Sequence, residues 1–212
     1  MKIFSSFFTI ALCIIISSAT LKDKPGKWIS LFDGKTFSGW KVGNHSETFK
    51  IKDGEIVVNG ETAHLFYVGD VENHNFRNFE FKADVMTLPG SNSGIYFATQ
   101  YQEEGWPAKG YEVQVNNSHI DWRRTGGLYA VDDVKEQYVK DNEWFTEYIK
   151  VEGKHVIIKI NNKVVVDYTE PENVQRPPDM AGRKIADGTF ALQGHDPKST
   201  VYFKNIMVRP LP

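Results

Sequence analysis

The feature that most limits how this chain can fold is a series of short segments with alternating polarity, each bounded by residues typical of tight turns. Segment 79–85 has apolar residues at every second position, which predicts a strand with one buried face. Segment 49–59 predicts a hairpin that turns at Asp53-Gly54, and segment 148–167 predicts three consecutive strands. Segment 201–209 predicts a further strand that closes the fold.

Helix signals are weak throughout the sequence. The one candidate is segment 132–141, which is short and highly charged. Because strands with one apolar face need a second sheet to cover that face, the pattern predicts an all-β sandwich of two antiparallel sheets. We expect a jelly roll, since a chain of 212 residues suits this architecture better than a small immunoglobulin-like domain. The predicted single domain spans residues 20–212.

Residues 1–19 have the composition of a secretory signal peptide. A lysine starts the segment, an apolar run follows, and Ser17-Ser18-Ala19 ends it with small residues. The run is too short for a comfortable membrane span, and Leu12 is bulkier than a lipoprotein signal accepts before Cys13. We therefore expect cleavage after Ala19 and export to the periplasm or the exterior, with no membrane partner afterwards.

Composition and charge exclude several classes of site. Cys13 is the only cysteine, so the mature protein is expected to have no disulfide, thiolate zinc site or cysteine nucleophile. The formal net charge of -2 gives no reason to expect nucleic acid or an anionic membrane as a partner. The sequence also lacks a Gly-rich phosphate loop, a Gly-x-Ser-x-Gly elbow and a His-Glu-x-x-His helix.

Three predicted strands carry polar side chains on the face opposite their apolar one. Because side chains alternate along a strand, these polar groups are expected to project from the outer face of one sheet. Carboxylate, amide, imidazole and phenol groups suit a sugar, although the outer face of a single strand is more often simply solvated. The outward groups are Asn92 with Tyr96, Glu112 with Gln114, and Gln193 with His195.

Aromatic side chains near these strands offer flat apolar surfaces on which sugar rings can pack. Trp106 lies in a predicted loop, where a role in lining the site and simple packing are equally open. Arg124 and Tyr129 lie close to a second loop tryptophan. Trp28 and Trp40 are instead expected in the core.

Four parts of the chain follow one another in an order typical of one protein family. They are residues 28–40, 93–97, 110–114 and, at the end, 191–196 with 201–206. Together they resemble the 3-keto-disaccharide hydrolase family, formerly domain of unknown function 1080. The resemblance implies a concanavalin A-like fold and an exported bacterial protein. It also implies cleavage of 3-keto-glycosides, which a partner sugar 3-oxidoreductase makes by oxidising the sugar at C3.

The chemistry implied by this resemblance gives the outward residues roles. A ketone at C3 acidifies the C2 proton, so a base can remove it, after which the aglycone leaves C1 and water adds to the enone. Glu112 or His195 is the predicted catalytic base, since burial can move either pKa towards neutrality. Arg124, Tyr129, Gln114 or a bound divalent cation would stabilise the enolate. Two ligands, Glu112 and His195, are too few to name a metal.

The predicted function is therefore an exported enzyme that cleaves 3-keto-glycosides by elimination or hydrolysis. The alternative is a non-catalytic carbohydrate-binding domain on the same sandwich, and a purely structural or partner-binding domain is a third interpretation. An ordinary glycosidase is disfavoured, because such enzymes need two carboxylates and Glu112 is the clear one. The substrate, an oligosaccharide or another glycoside, is predicted to contact Asn92, Tyr96, Trp106, Gln114, Arg124, Tyr129 and Gln193.

Overall fold

The computed structural model describes residues 26–212, and the predicted signal peptide lies outside them. The helical segments of this part are 3-10 turns at Ser46–Thr48, Val71–His74 and Pro178–Met180. The strands are β1 Ile29–Ser30, β2 Trp40–Val42, β3 Phe49–Lys52, β4 Glu55–Val58, β5 Ala63–Tyr67, β6 Phe79–Thr87, β7 Ser93–Thr99, β8 Tyr111–Val115, β9 Arg124–Leu128, β10 Asp132–Val134, β11 Phe145–Glu152, β12 His155–Ile160, β13 Lys163–Thr169, β14 Thr189–Gly194 and β15 Val201–Pro210.

These strands form two antiparallel sheets, which confirms the fold class predicted from the alternation. One sheet has the order β13-β12-β11-β6-β15-β4-β3, with β1 also paired to β15. The other has the order β10-β9-β8-β7-β14-β5-β2 and is called the seven-stranded sheet below. Phe190 of the seven-stranded sheet packs on Phe81 of the first sheet, with ring centroids 4.6 Å apart, so both sheets contribute to one core.

The predicted hairpins lie where the turn residues indicate. β3 and β4 pair from Phe49 opposite Val58 to Lys52 opposite Glu55. Asp53 and Gly54 between them both have positive φ, 53° and 82°, which a turn with the twist of a hairpin requires. The three consecutive strands predicted in 148–167 are β11, β12 and β13.

The one helix candidate is not a helix, and one expectation, the core position of Trp28, is wrong. The charged segment 132–141 forms no α-helix, and its first residues form β10, which pairs with β9. That segment has too few apolar residues to bury one face of a helix. Trp28 is half-buried rather than a core residue, and Lys82 and Arg209 lie over its ring at 4.6 and 5.0 Å. Trp40 is buried as predicted, and its indole nitrogen donates to the carbonyl of Leu31.

No helix within residues 26–212 is long and apolar enough to cross a membrane.

Candidate active site

The polar side chains predicted to face outward meet on three neighbouring strands of the seven-stranded sheet. β7 lies between β8 and β14, and both pairs are antiparallel. Tyr96 is directly opposite Glu112, and Gly94 is opposite Gln114. Because side chains alternate, Tyr96, Glu112 and Gln114 share the face that points away from the core, and Gln193 joins them from β14.

The carboxyl group of Glu112 is the centre of this arrangement. Its Oε2 accepts a hydrogen bond from the hydroxyl of Tyr96 at 2.8 Å, and its Oε1 accepts one from Nε2 of Gln193 at 2.8 Å. Burial raises the pKa of Glu112, and this effect exceeds the lowering caused by Arg183 and by the hydrogen bonds from Tyr96 and Gln193. A buried carboxyl with a raised pKa is a common component of acid–base sites.

A chain of hydrogen bonds connects Gln114 to the turn that follows β14. Gln114 Nε2 donates to Oδ1 of Asn92 at 2.6 Å, and the backbone nitrogen of Asn92 donates to Oγ of Ser199 at 2.9 Å. That hydroxyl donates in turn to Oδ2 of Asp196 at 3.0 Å. The amide side chains of the site and the Asp196 turn are therefore held in fixed relative positions.

His195 and Asp196 form a hydrogen-bonded pair at the edge of the site. Nδ1 of His195 lies 2.6 Å from Oδ2 of Asp196. Burial by itself would raise the pKa of Asp196, but hydrogen bonds from His195, the Lys198 backbone and Ser199 outweigh it and hold that pKa below its ordinary value. The carboxylate therefore stays ionised and orients the imidazole, as in other histidine–carboxylate pairs.

Arg183 brings a positive charge to the buried carboxyl. Its Nη2 lies 3.7 Å from Oε2 of Glu112, and the Arg183 side chain is largely buried. The residue belongs to the irregular segment 170–188 that connects β13 with β14. The Cζ atoms of Arg183 and Arg123 lie 5.0 and 4.7 Å from the ring centroid of Tyr129, so cation–π contacts hold this tyrosine beside the site.

Trp106 forms a wall of the site on the loop between β7 and β8. Its ring centroid lies 5.5 Å from that of His64 and 5.6 Å from that of His195, while half of the residue stays exposed. His64, on β5, is buried. Burial, followed by the nearby His195, lowers the pKa of His64 to about 3, so its ring is neutral at physiological pH.

Most of the groups described so far line one pocket of about 420 Å³, a volume within the usual range for small-molecule sites. Polar groups on or next to the strands form its floor, and the loops form its wall with apolar groups and with the charged Asp121, Asp179 and Arg183. The lining residues are Asn92, Tyr96, Trp106, Pro107, Ala108, Glu112, Gln114, Asp121, Tyr129, Asp179, Met180, Arg183, Gln193 and His195.

The pocket brings together all but one of the site residues predicted from the sequence. The exception is Arg124, which does not line the pocket. Its Nη1 donates to the carbonyl oxygens of His119, at 3.0 Å, and of Asp121, so Arg124 holds the loop before β9 in shape. The predicted residues that do line the pocket are Asn92, Tyr96, Trp106, Glu112, Gln114, Tyr129, Gln193 and His195.

Sequence reasoning missed several residues that lie on loops. Arg183 occupies an irregular segment with no alternation to place it, and Asp196 lies in the turn that follows β14. The pocket also holds the carboxyl groups of Asp121 and Asp179, so Glu112 is not the only carboxylate there. His64 lies on β5 opposite Gln193, in a fully buried strand without the alternating polarity that pointed to the other site residues.

A divalent cation at Glu112 and His195 stays a prediction. Residues 26–212 contain no group of three or more His, Cys, Asp or Glu side chains arranged to hold a metal ion. Both carboxyl oxygens of Glu112 accept hydrogen bonds from protein groups, and Nδ1 of His195 contacts Asp196.

Solved structures show the same fold. A protein from Parabacteroides distasonis ATCC 8503, whose name proposes a glycosyl hydrolase, is 24% identical, with 88% of this chain and 94% of that chain covered and a TM-score of 0.74. A Bacillus subtilis protein with a galectin-like fold is 9% identical, with 90% of this chain and 99% of that chain covered and a TM-score of 0.62. The predicted concanavalin A-like jelly roll is thus confirmed.

Sequence comparison identifies the family. A Bacteroides thetaiotaomicron protein named 3-keto-disaccharide hydrolase is 29% identical over 168 residues, which are 66% of this chain and 58% of that protein. The match therefore spans less than two thirds of that relative's length. The family model of the 3-keto-alpha-glucoside-1,2-lyase-like domain matches residues 27–209. Because this match covers most of the sequence, the chain belongs to the 3-keto-alpha-glucoside-1,2-lyase-like family.

Proposed function

We propose that this chain is an enzyme that cleaves 3-keto-glycosides by removing the C2 proton and releasing the aglycone from C1. The family, and the name of the Bacteroides thetaiotaomicron relative, support this substrate class. The observation that carries the proposal is that His195, which is hydrogen-bonded to Asp196, and the buried carboxyl of Glu112 line the same pocket. Two proton-transferring groups in different environments are what an elimination of this kind needs.

His195 is the proposed base. An ionised carboxylate only accepts hydrogen bonds, so the contact with Asp196 places the proton of the neutral imidazole on Nδ1. Nε2 is then the basic nitrogen of a ring that lines the pocket. In the proposed step Nε2 takes the C2 proton, and the electrons of the C–H bond form the C2–C3 double bond of an enolate with its negative charge on the C3 oxygen.

Glu112 is the proposed acid for the departing oxygen. Burial raises its pKa, which keeps a proton on the carboxyl at a pH closer to neutrality. As the C3 carbonyl re-forms, the C1–C2 double bond forms and the C1–O bond breaks, and the aglycone oxygen takes the proton of Glu112. Water then adds to C1 while a proton returns to C2, so that one water is consumed for each glycosidic bond.

Arg183 is proposed to stabilise the enolate, in place of the role expected for Arg124. Its guanidinium carries a positive charge and lies beside Glu112 in a largely buried position. A fixed positive charge in such an environment stabilises negative charge that develops in the transition state.

The proposed setting is an exported protein that acts on glycosides which a sugar 3-oxidoreductase has oxidised. Export rests on the composition of residues 1–19, and the link to an oxidoreductase rests on the chemistry of the substrate. Cell fractionation together with the N-terminal sequence of the mature protein tests the first point. Loss of substrate supply on deletion of the oxidoreductase activity tests the second.

The test of the reaction is the incubation of purified protein with a 3-keto-glucoside, with aglycone release followed with and without a chelator. We expect release that falls by about 100-fold or more in His195→Ala and in Glu112→Gln. His155→Ala is the matched control, because His155 makes a similar 2.6 Å contact with Asp167 outside the pocket.

No release from a panel of 3-keto-glycosides, with intact glycans still bound, would favour the carbohydrate-binding alternative. Loss of activity with a chelator would support the cation.

A further inference from the structure

The segment that carries Arg183 has little strand pairing to hold it. Residues 170–188, called the strap here, cross from β13 to β14, and their regular structure is the turn Pro178–Met180 and one β-bridge at the far end, between Gly188 and Phe76. The strap supplies Asp179, Met180 and Arg183 to the pocket. A charge on an irregular segment keeps a fixed position only when other groups anchor its backbone.

Arg176 anchors the strap on one side of Arg183. Its Nε donates to the carbonyl oxygen of Arg183 at 2.9 Å, a hydrogen bond between two residues of the strap. Its Nη2 donates at 2.8 Å to the hydroxyls of Tyr111 and Tyr168, which belong to β8 and β13. One guanidinium thus ties the backbone of Arg183 to a strand of each sheet.

Glu170 anchors the strap on the other side of Arg183. Its Oε2 accepts hydrogen bonds from the hydroxyl of Tyr111 at 2.5 Å and from the backbone nitrogen of Ile185 at 2.8 Å. Glu170 is buried, so these hydrogen bonds are little weakened by solvent. Tyr111 therefore contacts both anchors through one hydroxyl, and the next residue of β8 is Glu112.

The strap is also held against the loop that carries Trp106. The backbone nitrogen of Gly110 donates to the carbonyl of Gly182 at 3.0 Å. A β-carbon on Gly182 would lie 1.9 Å from the carbonyl oxygen of Ala108, so the two backbones touch at a point where only glycine fits. The backbone of the strap is therefore held at Gly182, Arg183 and Ile185, that is, at Arg183 itself and within two residues of it.

We infer that Arg176 and Glu170 are positioning residues that hold Arg183 beside Glu112. The expected effect on catalysis rests on the proposed function. The position of Arg183 beside Glu112 does not, because it is a property of the protein without substrate. Loss of either anchor frees the strap, so Arg183 moves away from the carboxyl. The titratable and charged groups that act on Glu112 are Tyr96, Tyr129, Arg183 and His195.

The variants Arg176→Met and Glu170→Leu test this inference. We expect kcat to fall by about 10- to 100-fold with a smaller change in KM, because a misplaced charge chiefly affects the transition state. Glu170→Gln, which keeps an acceptor for Ile185 and Tyr111, is expected to retain most activity. Arg77→Met is the matched control, because Arg77 anchors the same strap at Asp187 through an exposed 2.8 Å bond and does not contact Arg183.

A titration of the Glu112 carboxyl by infrared or carbon NMR decides the point without turnover. Since Arg183 lowers the pKa of Glu112, its displacement should raise that pKa in Arg176→Met and leave it unchanged in Arg77→Met. Inactivity of the wild-type protein would overturn the proposed function and leave this comparison intact. An unchanged Glu112 titration in folded Arg176→Met and Glu170→Leu proteins, or an equal shift in Arg77→Met, would overturn the inference.

Discussion

A β-carbon on Gly94 would lie 2.6 Å from Oε1 of Glu112, so the carboxyl group occupies space that glycine leaves free on β7. Gly94 lies opposite Gln114, and the neighbouring Tyr96 lies opposite Glu112. The glutamate side chain therefore leans across the neighbouring strand, which is how it reaches both Tyr96 and Gln193.

Gly94→Ala is expected to displace the carboxyl of Glu112 and to break its bond with Gln193. We expect activity on a 3-keto-glycoside to fall by about 10- to 100-fold, since a shift near 1 Å at a reacting group has an effect of this size. Steady-state kinetics measure the change. Gly26→Ala, at an exposed position where an added β-carbon would meet only the carbonyl oxygen of Pro210, at 3.3 Å, should behave like the wild type. Normal activity in Gly94→Ala would show that catalysis does not depend on the observed position of the Glu112 carboxyl.

Asp196→Asn is expected to reduce kcat by about 100- to 10,000-fold, because the amide no longer keeps the proton of His195 on Nδ1. The measurement is the rate of aglycone release at saturating substrate. Asp167→Asn, at the exposed partner of His155, serves as the control and should change little. A kcat within a few-fold of wild type would contradict the assignment of His195 as the base.

Glu147→Leu is expected to stabilise the protein, increasingly so as the pH rises. Glu147 lies on β11 opposite Ala83 and Ile160, is fully buried, and neither of its carboxyl oxygens has a hydrogen-bond partner among residues 26–212. Burial raises its pKa well above the ordinary 4.5. Above pH 4.5 the unfolded chain loses this proton while the folded chain keeps it, so the folded state loses stability as the pH rises towards the folded pKa.

The free energy of unfolding of the wild type should therefore fall relative to Glu147→Leu by about 1.4 kcal/mol per pH unit in that window. Urea denaturation at several pH values from acid to neutral measures the difference. Glu172→Leu, at an exposed site paired with Lys154, provides the control. A stability difference that does not change with pH would contradict the buried, protonated state of Glu147.

Trp106→Ala is expected to raise the pKa of His64 from about 3 towards its ordinary value of 6.5, because burial is the main cause of the low value. Proton NMR of the histidine ring signals follows this titration. Trp122→Ala removes another half-exposed tryptophan that has no ring contact with His64, and it should leave the pKa unchanged. An unchanged His64 titration in Trp106→Ala would show that other groups bury this ring.

The strands and the floor of the site could be predicted because both depend on local alternation. A period of two residues places Glu112 and Gln114 on one face whatever the rest of the chain does, and the same holds for Gln193. Arg183 and Asp196 could not be placed in this way, because their positions depend on hydrogen bonds between segments distant in sequence, such as those from Arg176 to Tyr111 and from Asn92 to Ser199.

Glu147 and Trp28 mark where the simple assignment of polar residues to the surface and tryptophans to the core fails. Glu147 occupies an inward position of β11 that alternation alone assigns to the interior, despite its charge. Trp28 precedes β1 and packs under Lys82 and Arg209, so long cationic side chains cover it in place of a second sheet.

The division of the pocket into a strand-borne floor and a loop-borne wall separates two tasks that natural or laboratory evolution can address independently. The groups proposed to move protons lie on or next to paired strands, whereas Trp106, Pro107 and Ala108 belong to a loop, and loop connections generally tolerate insertion and replacement. Exchanging these connections between related domains is thus a route to new leaving-group preferences with the same chemistry. The strap is the exception, because a graft there must carry Arg176 and Glu170 together with Arg183.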